Sequence, residues 1–168
     1  KSIIDEGSLG KILWVRGEFS EYLPDFHPYE DYRTFYMAKK ELGGGSILDQ
    51  SHIMDLILYL ISDFKSVFAI NRNLSSLEIS SDDIAEMVLE LKGNIIASIH
   101  TDIFGRNHKK TLEIKAEKGN ISMDIYDDSV SVYYSETKST EVFKRLTKDF
   151  NQNYIDEIRD FIDSYKNK

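Results

Sequence analysis

The sequence contains no cysteine. Thiol catalysis, disulfide scaffolds, thiolate zinc sites and iron–sulfur clusters are thereby excluded. Proline is scarce, with only Pro24 and Pro28, both inside one short stretch. No apolar run is long: the most apolar one, 53–61, is interrupted by Asp55 and falls far short of the roughly 20 residues a bilayer requires. The first residues show no signal-peptide pattern. Cations are in the minority, 21 Lys and Arg against 29 Asp and Glu, for a net charge of −8. A chain this acidic is a poor partner for nucleic-acid phosphates or an anionic membrane surface. What remains is 168 residues, 41% apolar and 30% charged, which suits one soluble domain with a proper core.

The pattern along the chain is mostly that of strands. Residues 2–7 read as the tail of a helix ending at Gly7, and 154–168 as an amphipathic helix that stops; both ends resemble cuts from a longer chain. Residues 12–19 are rich in β-formers and bounded by glycine, which predicts a strand. Residues 22–33 form an aromatic loop holding both prolines, and 35–42 a short helix or turn closed by Gly43-Gly44-Gly45. From 46 to 61 apolar residues recur at spacings of three and four, which predicts one largely buried helix. Strands are then expected at 66–73, 84–91, 95–104, 110–117, 121–126, 130–134 and 142–146, with turns at 92–94, 118–120 and Asp127-Asp128. Strands with little helix between them must be mostly antiparallel. The fold class is therefore α+β: a large, mostly antiparallel open sheet with helices on one face. The other face mixes polar and apolar groups, as expected where a sheet meets water or a partner subunit.

The four histidines, His27, His52, His100 and His108, show no metal-ligand spacing. The triple glycine lacks the preceding strand and the spacing of a phosphate-binding loop. The one candidate for chemistry lies in the 46–61 helix. Asp49 and His52 stand three residues apart and share a helix face, with Asp55 rotated partly away. A carboxylate beside a histidine sets its tautomer and basicity, so the pair can transfer a proton. The same residues have a purely structural reading, because Ser46 followed by Asp49 is a capping-box pattern. In the aromatic loop, Tyr29, Tyr32 and Arg33 can bind a polar ligand or seal the edge of the sheet.

The run Glu41-Leu42-Gly43-Gly44-Gly45-Ser46-Ile47-Leu48-Asp49-Gln50-Ser51-His52-Ile53-Met54-Asp55-Leu56 resembles the signature of the C-terminal domain of the Gfo/Idh/MocA family. Glu6 to Ile12 resembles that domain's entry into its first strand. Asp82 to Ala85 with Lys92 to His100 resembles its strand–glycine–strand hairpin, and Leu112 to Gly119 the strand and turn that follow. The resemblance implies a two-domain dehydrogenase whose N-terminal Rossmann domain binds NAD or NADP and carries a catalytic lysine in a Glu-Lys-Pro motif. Neither the glycine fingerprint nor Glu-Lys-Pro occurs here. The resemblance thus implies that residues 1–168 form the single substrate-binding and oligomerisation domain, with the Rossmann domain absent from this chain. NAD or NADP would belong to the full-length parent, with neither bound tightly by these residues alone.

Carried over by position, His52 matches the family's acid/base histidine and Asp49 the aspartate sharing its site, while Tyr29, Tyr32 and Arg33 fall where substrate contacts occur. Many members place three residues between the aspartate and the histidine; here there are two, which turns Asp49 by about 100° around a helix relative to His52. A subset of the family with Leu-Gly-Gly-Gly before the helix and Ser-His inside it, as here, has this shorter gap, and several of its members are associated with amino-sugar or nucleotide-sugar biosynthesis. The implied partner is a small carbohydrate, namely a sugar, amino sugar or nucleotide sugar. A homo-oligomer, dimer or tetramer, through the open sheet face and a cytoplasmic location are also implied, with no nucleic acid, membrane or metal. The alternative is a non-catalytic assembly module that dimerises through the same face.

Overall fold

The computed structural model describes residues 1–144 and 151–166. Its centre is an eight-stranded sheet made of β1 (Ile12–Tyr22), β2 (Phe64–Arg72), β3 (Ile84–Leu91), β4 (Ile95–Asp102), β5 (Phe104–Ala116), β6 (Gly119–Asp124), β7 (Ser129–Tyr134) and β8 (Ser139–Lys144). The strand order is β2-β3-β4-β1-β5-β6-β7-β8. Strands β1 and β4 pair in parallel, Trp14 opposite Ile96 through Ser20 opposite Asp102; the other described pairings are antiparallel. A parallel pair needs a long crossover, and the chain from 23 to 94 supplies it. At the β3–β4 hairpin Gly93 and Asn94 both take positive φ, 85° and 60°, the geometry that matches the twist of the flanking strands. The helices are α1 (Ser2–Asp5), α2 (Leu23–Phe26), α3 (Ser46–Asp49), α4 (His52–Leu60) and α5 (Asn151–Lys166).

One face of the sheet is the core. Alternate residues of the strands, among them Val15, Leu89, Ala97, Ile99 and Ile114, are buried beneath α4, whose own buried residues are Ile53 and Ile57. The close approach is made at Gly17. A β-carbon there would lie 2.6 Å from Ile53 Cγ1 and 3.1 Å from Ile57 Cδ1, so the helix rests directly on the backbone of the central strand. A second, smaller cluster joins Leu23, Met37, Ala38 and Ile103, with Tyr32 and Phe35 packed against it. The aromatic loop therefore closes one end of the sheet.

Several elements differ from the sequence expectation. The single helix expected over 46–61 is two, broken at Gln50 (φ −93°, ψ 17°). The cause is a side chain: Gln50 is fully buried, and its amide donates to the Asp102 carbonyl at 2.9 Å. Nor is the helical segment largely buried, since Leu48 and Tyr59 remain 60% and 67% exposed. The strand expected over 95–104 ends at Asp102, whose carboxylate accepts the Phe104 amide at 3.1 Å and turns the chain. As a result β5 starts at Phe104, six residues earlier than expected. The turn expected at 118–120 lies at Glu117 and Lys118, and Gly119 begins β6. The last strand, β8, runs from Ser139 to Lys144; positions 145–146 of the expected strand lie outside the described residues, as do 167–168 of the final helix.

The opposite sheet face is open. Phe68, Ile70, Val88 and Ile96 form an apolar patch across β2, β3 and β4, each at least 44% exposed. Beside it, His100 stands between two carboxylates, with Nδ1 2.6 Å from Glu86 and Nε2 2.8 Å from Asp102. The hydrogen bond to Asp102 outweighs burial and, with Glu86, holds the imidazole up at about 9 against an ordinary 6.5. Burial pushes Asp102 the other way, but His100 and the Ser20 hydroxyl prevail and keep its carboxyl low.

Two predictions follow from this packing and this charge cluster. Gly17→Val forces a side chain into Ile53 and should cost about 1–3 kcal/mol of stability in urea unfolding, the usual penalty of overpacking, with Gly17→Ala milder. The His100 pKa is raised in the folded state, so its stabilisation is complete below about pH 6.5, declines towards pH 9 and is absent above it. The gap in urea midpoint between the native chain and His100→Gln should be widest near pH 6 and close near pH 10; a gap constant with pH would contradict the charged clamp.

Candidate functional site

Successive side chains of a strand point to opposite faces, so Val15, Gly17, Phe19 and Glu21 share the core face of β1. The first three lie under α4, and at Glu21 the face turns polar. Strand β5, running the other way, repeats the change: Ile114 and Leu112 are core, Lys110 stands opposite Phe19, and His108 and Arg106 follow. The first residue of α4 is His52, and it sits at this changeover with its ring centre 6.1 Å from that of Phe19. The Lys110 ammonium lies over the same Phe19 ring, 4.3 Å from its centre.

Around this point the charges are coupled. Glu21 is 9% exposed and accepts the Tyr126 hydroxyl at 3.0 Å. Burial pushes its carboxyl up, against that hydrogen bond and the nearby His108 and Lys110. Burial pushes the Lys110 ammonium down, opposed by Glu21 and Asp49. Burial together with Glu21 raises the Tyr126 phenol to about 12. Asp49 accepts a hydrogen bond from the Tyr36 hydroxyl, which raises Tyr36 to about 12 and keeps it a donor.

The glycine run positions Asp49. A β-carbon on Gly44 would strike the Tyr36 and Met37 carbonyls, and one on Gly45 would come within 2.5 Å of Asp82 Oδ1. Asp82 in turn accepts the Ser46 hydroxyl at 2.9 Å and the Ile47 amide at 3.1 Å. The run is thus a close-packed entry to α3. His52 is exposed and makes no hydrogen bond among the described residues. It lines a surface depression of about 430 Å³ with Ser51, Met54, Asp55 and Leu58. A larger cleft of about 650 Å³ is lined by Leu56, Lys110, Met123, Val130 and Phe143.

The structure therefore brings Asp49, Glu21, Lys110 and Tyr126 into one electrostatic cluster, with His52 at its edge. No hydrogen bond joins Asp49 to His52 among the described residues; Asp49 turns to Tyr36 instead. The three loop residues are organised elsewhere. Tyr29 is 77% exposed and bonded to His27 at 2.7 Å. The Tyr32 hydroxyl accepts the Glu78 amide at 3.2 Å, and Arg33 is held by Asp31 at 2.9 Å and Glu78 at 3.1 Å. Sequence reasoning missed Glu21, Lys110, Tyr126 and Tyr36. The available signal was alternation: Glu21 and Lys110 continue apolar faces with a charge. Among the described residues no group of three or more His, Asp or Glu is placed to hold a metal ion, and no helix is long and apolar enough to cross a membrane.

Such a cluster supplies two carboxylate acceptors, an ammonium donor and, at its edge, an imidazole without a hydrogen-bond partner among the described residues. The GFO/IDH/MocA C-terminal domain model matches residues 1–122, and the chain belongs to that family. Solved structures agree in fold. Levoglucosan dehydrogenase in complex with NADH and levoglucosan superposes with a TM-score of 0.82 at 21% identity, over 96% of this chain and 51% of that one. The WlbA dehydrogenase from Bordetella pertussis, in complex with NADH and UDP-GlcNAcA, gives 0.63 at 24% identity over 74% and 37%. An inositol dehydrogenase homolog complexed with NAD+, from Azotobacter vinelandii, gives 0.73 at 13% identity over 88% and 40%. This chain spans about half the length of the first and less of the others. No curated protein sequence matches it.

The Tyr126 hydrogen bond holds the Glu21 carboxyl down against its burial. In Tyr126→Phe the Glu21 titration midpoint, followed by carboxyl-carbon NMR, should move further up; a downward move would contradict the pairing.

Proposed function

We propose that this chain is the substrate-binding half of an NAD(P)-dependent oxidoreductase acting on a carbohydrate hydroxyl. The observation that carries the reading is the placement of His52: an exposed imidazole with no hydrogen-bond partner among the described residues, at the edge of a cluster of two carboxylates and a half-buried lysine. The nicotinamide, held by a domain outside this chain, would accept the hydride from the carbinol carbon. His52 takes the hydroxyl proton as the carbon–oxygen bond becomes a carbonyl, which is general-base catalysis. Glu21 and Asp49 accept from neighbouring hydroxyls, and Lys110 donates to a substrate oxygen. Orientation by such groups lowers the barrier by fixing the reacting carbon. Tyr29, Tyr32 and Arg33 stay in the proposal as outer contacts with the substrate, at the closed end of the sheet.

The enzyme is proposed to assemble as a dimer or tetramer through its open sheet face. The support is the apolar patch of Phe68, Ile70, Val88 and Ile96, because contiguous exposed apolar surface of this kind marks association sites. A non-catalytic assembly module would use the same patch without His52.

In the full-length parent, His52→Ala should lower turnover by about 10²–10⁴-fold, the usual worth of a general acid–base group. The assay is NAD+ reduction with levoglucosan, inositol and UDP-GlcNAcA offered in turn. Turnover within a few-fold of the native enzyme removes His52 from the mechanism. Reduction with none of the three overturns the carbohydrate reading.

A further inference from the structure

We infer that His100, on the open face of the sheet, is a positioning residue for the Asp49–His52 segment on the other face, acting through Asp102 and Gln50. The roles of Asp49 and His52 rest on the proposed function; the physical link does not.

The segment is held at two points. Its start is fixed by Asp82, which takes the Ser46 hydroxyl, the Ile47 amide and, through its own carbonyl, the Ser46 amide at 3.1 Å. Its middle is fixed by Gln50, which lies at the break between α3 and α4, directly after Asp49 and two residues before His52. Gln50 is fully buried and, among the described residues, its Oε1 has no hydrogen-bond partner. An unpaired buried acceptor is unfavourable, so the bond from its amide to the Asp102 carbonyl is what holds this side chain in place.

Asp102 is equally constrained from the other side. Its side chain is 4% exposed and accepts from His100 Nε2 at 2.8 Å, from the Phe104 amide at 3.1 Å and from the Ser20 hydroxyl. It sits at the corner where β4 turns into β5. A carboxylate fastened three ways fixes the residue's own carbonyl, and that carbonyl carries Gln50. His100 supplies the charged bond among the three. Its other nitrogen is tied to Glu86 on β3, so the ring cannot rotate away without breaking its hydrogen bonds to both carboxylates. Facing it on β1, in register, is also Glu18, which is itself engaged by Lys109 at 3.3 Å and Arg16 at 3.9 Å. From imidazolium to reactive segment the path is three hydrogen-bonded residues, and it crosses the sheet.

The test is made on this chain, isotopically labelled, by NMR. The Gln50 side-chain amide and the His52 ring are followed from about pH 6 to 10.5 beside the His100 ring. His100 should titrate near 9, and the Gln50 amide should show a step at the same midpoint, with the His52 ring resonance moving with it. In His100→Gln that step should vanish, and both signals should sit away from their native positions at pH 7. Should that variant fail to fold, Glu86→Gln serves. It removes one of the groups that raise the His100 pKa, so the His100 midpoint and the Gln50 step should fall together. A Gln50 amide that stays flat while His100 titrates overturns the inference, as does a His52 ring unmoved in either variant. Neither result touches the assay of His52→Ala turnover, so the two readings fail separately.

Discussion

Helix α4 packs its Ile53 and Ile57 side chains straight onto the backbone of the central strand, because residue 17 is glycine and those side chains fill the space a β-carbon would need. This contact determines where the first residue of the helix falls. With α4 seated over Gly17, its N-terminal end comes to the edge of Phe19, and His52 projects where the covered face of the sheet runs out. A helix held further off by a larger residue would expose Val15 and Phe19 and carry the imidazole away from Glu21 and Lys110. Packing of this kind is sensitive at the level of single methylenes, so the chemistry at the end of the sheet inherits its precision from the core beneath.

Much of the architecture is legible in the residues, for identifiable reasons. Ile84 to Leu91 alternates and forms β3; Lys92-Gly93-Asn94 needs positive φ and makes the hairpin; the glycines at 43–45 announce a helix entry. What escaped depends on contacts distant in sequence. The helix break at Gln50 arises from a carbonyl 52 residues away, and no local pattern encodes it. The first half of β5, with its run of Arg106, Asn107, His108, Lys109 and Lys110, looks like solvated loop by composition. It is a strand because β1 stands beside it and pairs with it.

The candidate site shows the same division. His52 and Asp49 can be picked from one short motif, whereas Glu21, Lys110 and Tyr126 come from β1, β5 and the turn between β6 and β7 and meet only in the folded sheet. Tyr29, Tyr32 and Arg33 are near one another as expected, yet their hydrogen bonds run to His27, Glu78 and Asp31. Proximity in sequence predicted a group, but partners decided what the group is committed to. The two faces also divide by charge: the buried-carboxylate cluster lies on the helix side, and the clamped imidazole with its apolar patch lies on the open side, with Asp102 reaching both.

The parallel pairing of β1 with β4 has a kinetic meaning. Trp14 and Ile96 are neighbours in space but more than eighty residues apart along the chain, and the other neighbour of β1, strand β5, comes later still. As the polypeptide leaves the ribosome, its central strand has no partner on either edge until well over half of these residues have been made. Non-local pairing is slow because loop closure must precede its reward. The strand at the middle of the finished sheet is thus the one that waits longest for its neighbours, and meanwhile it is open to association with other chains.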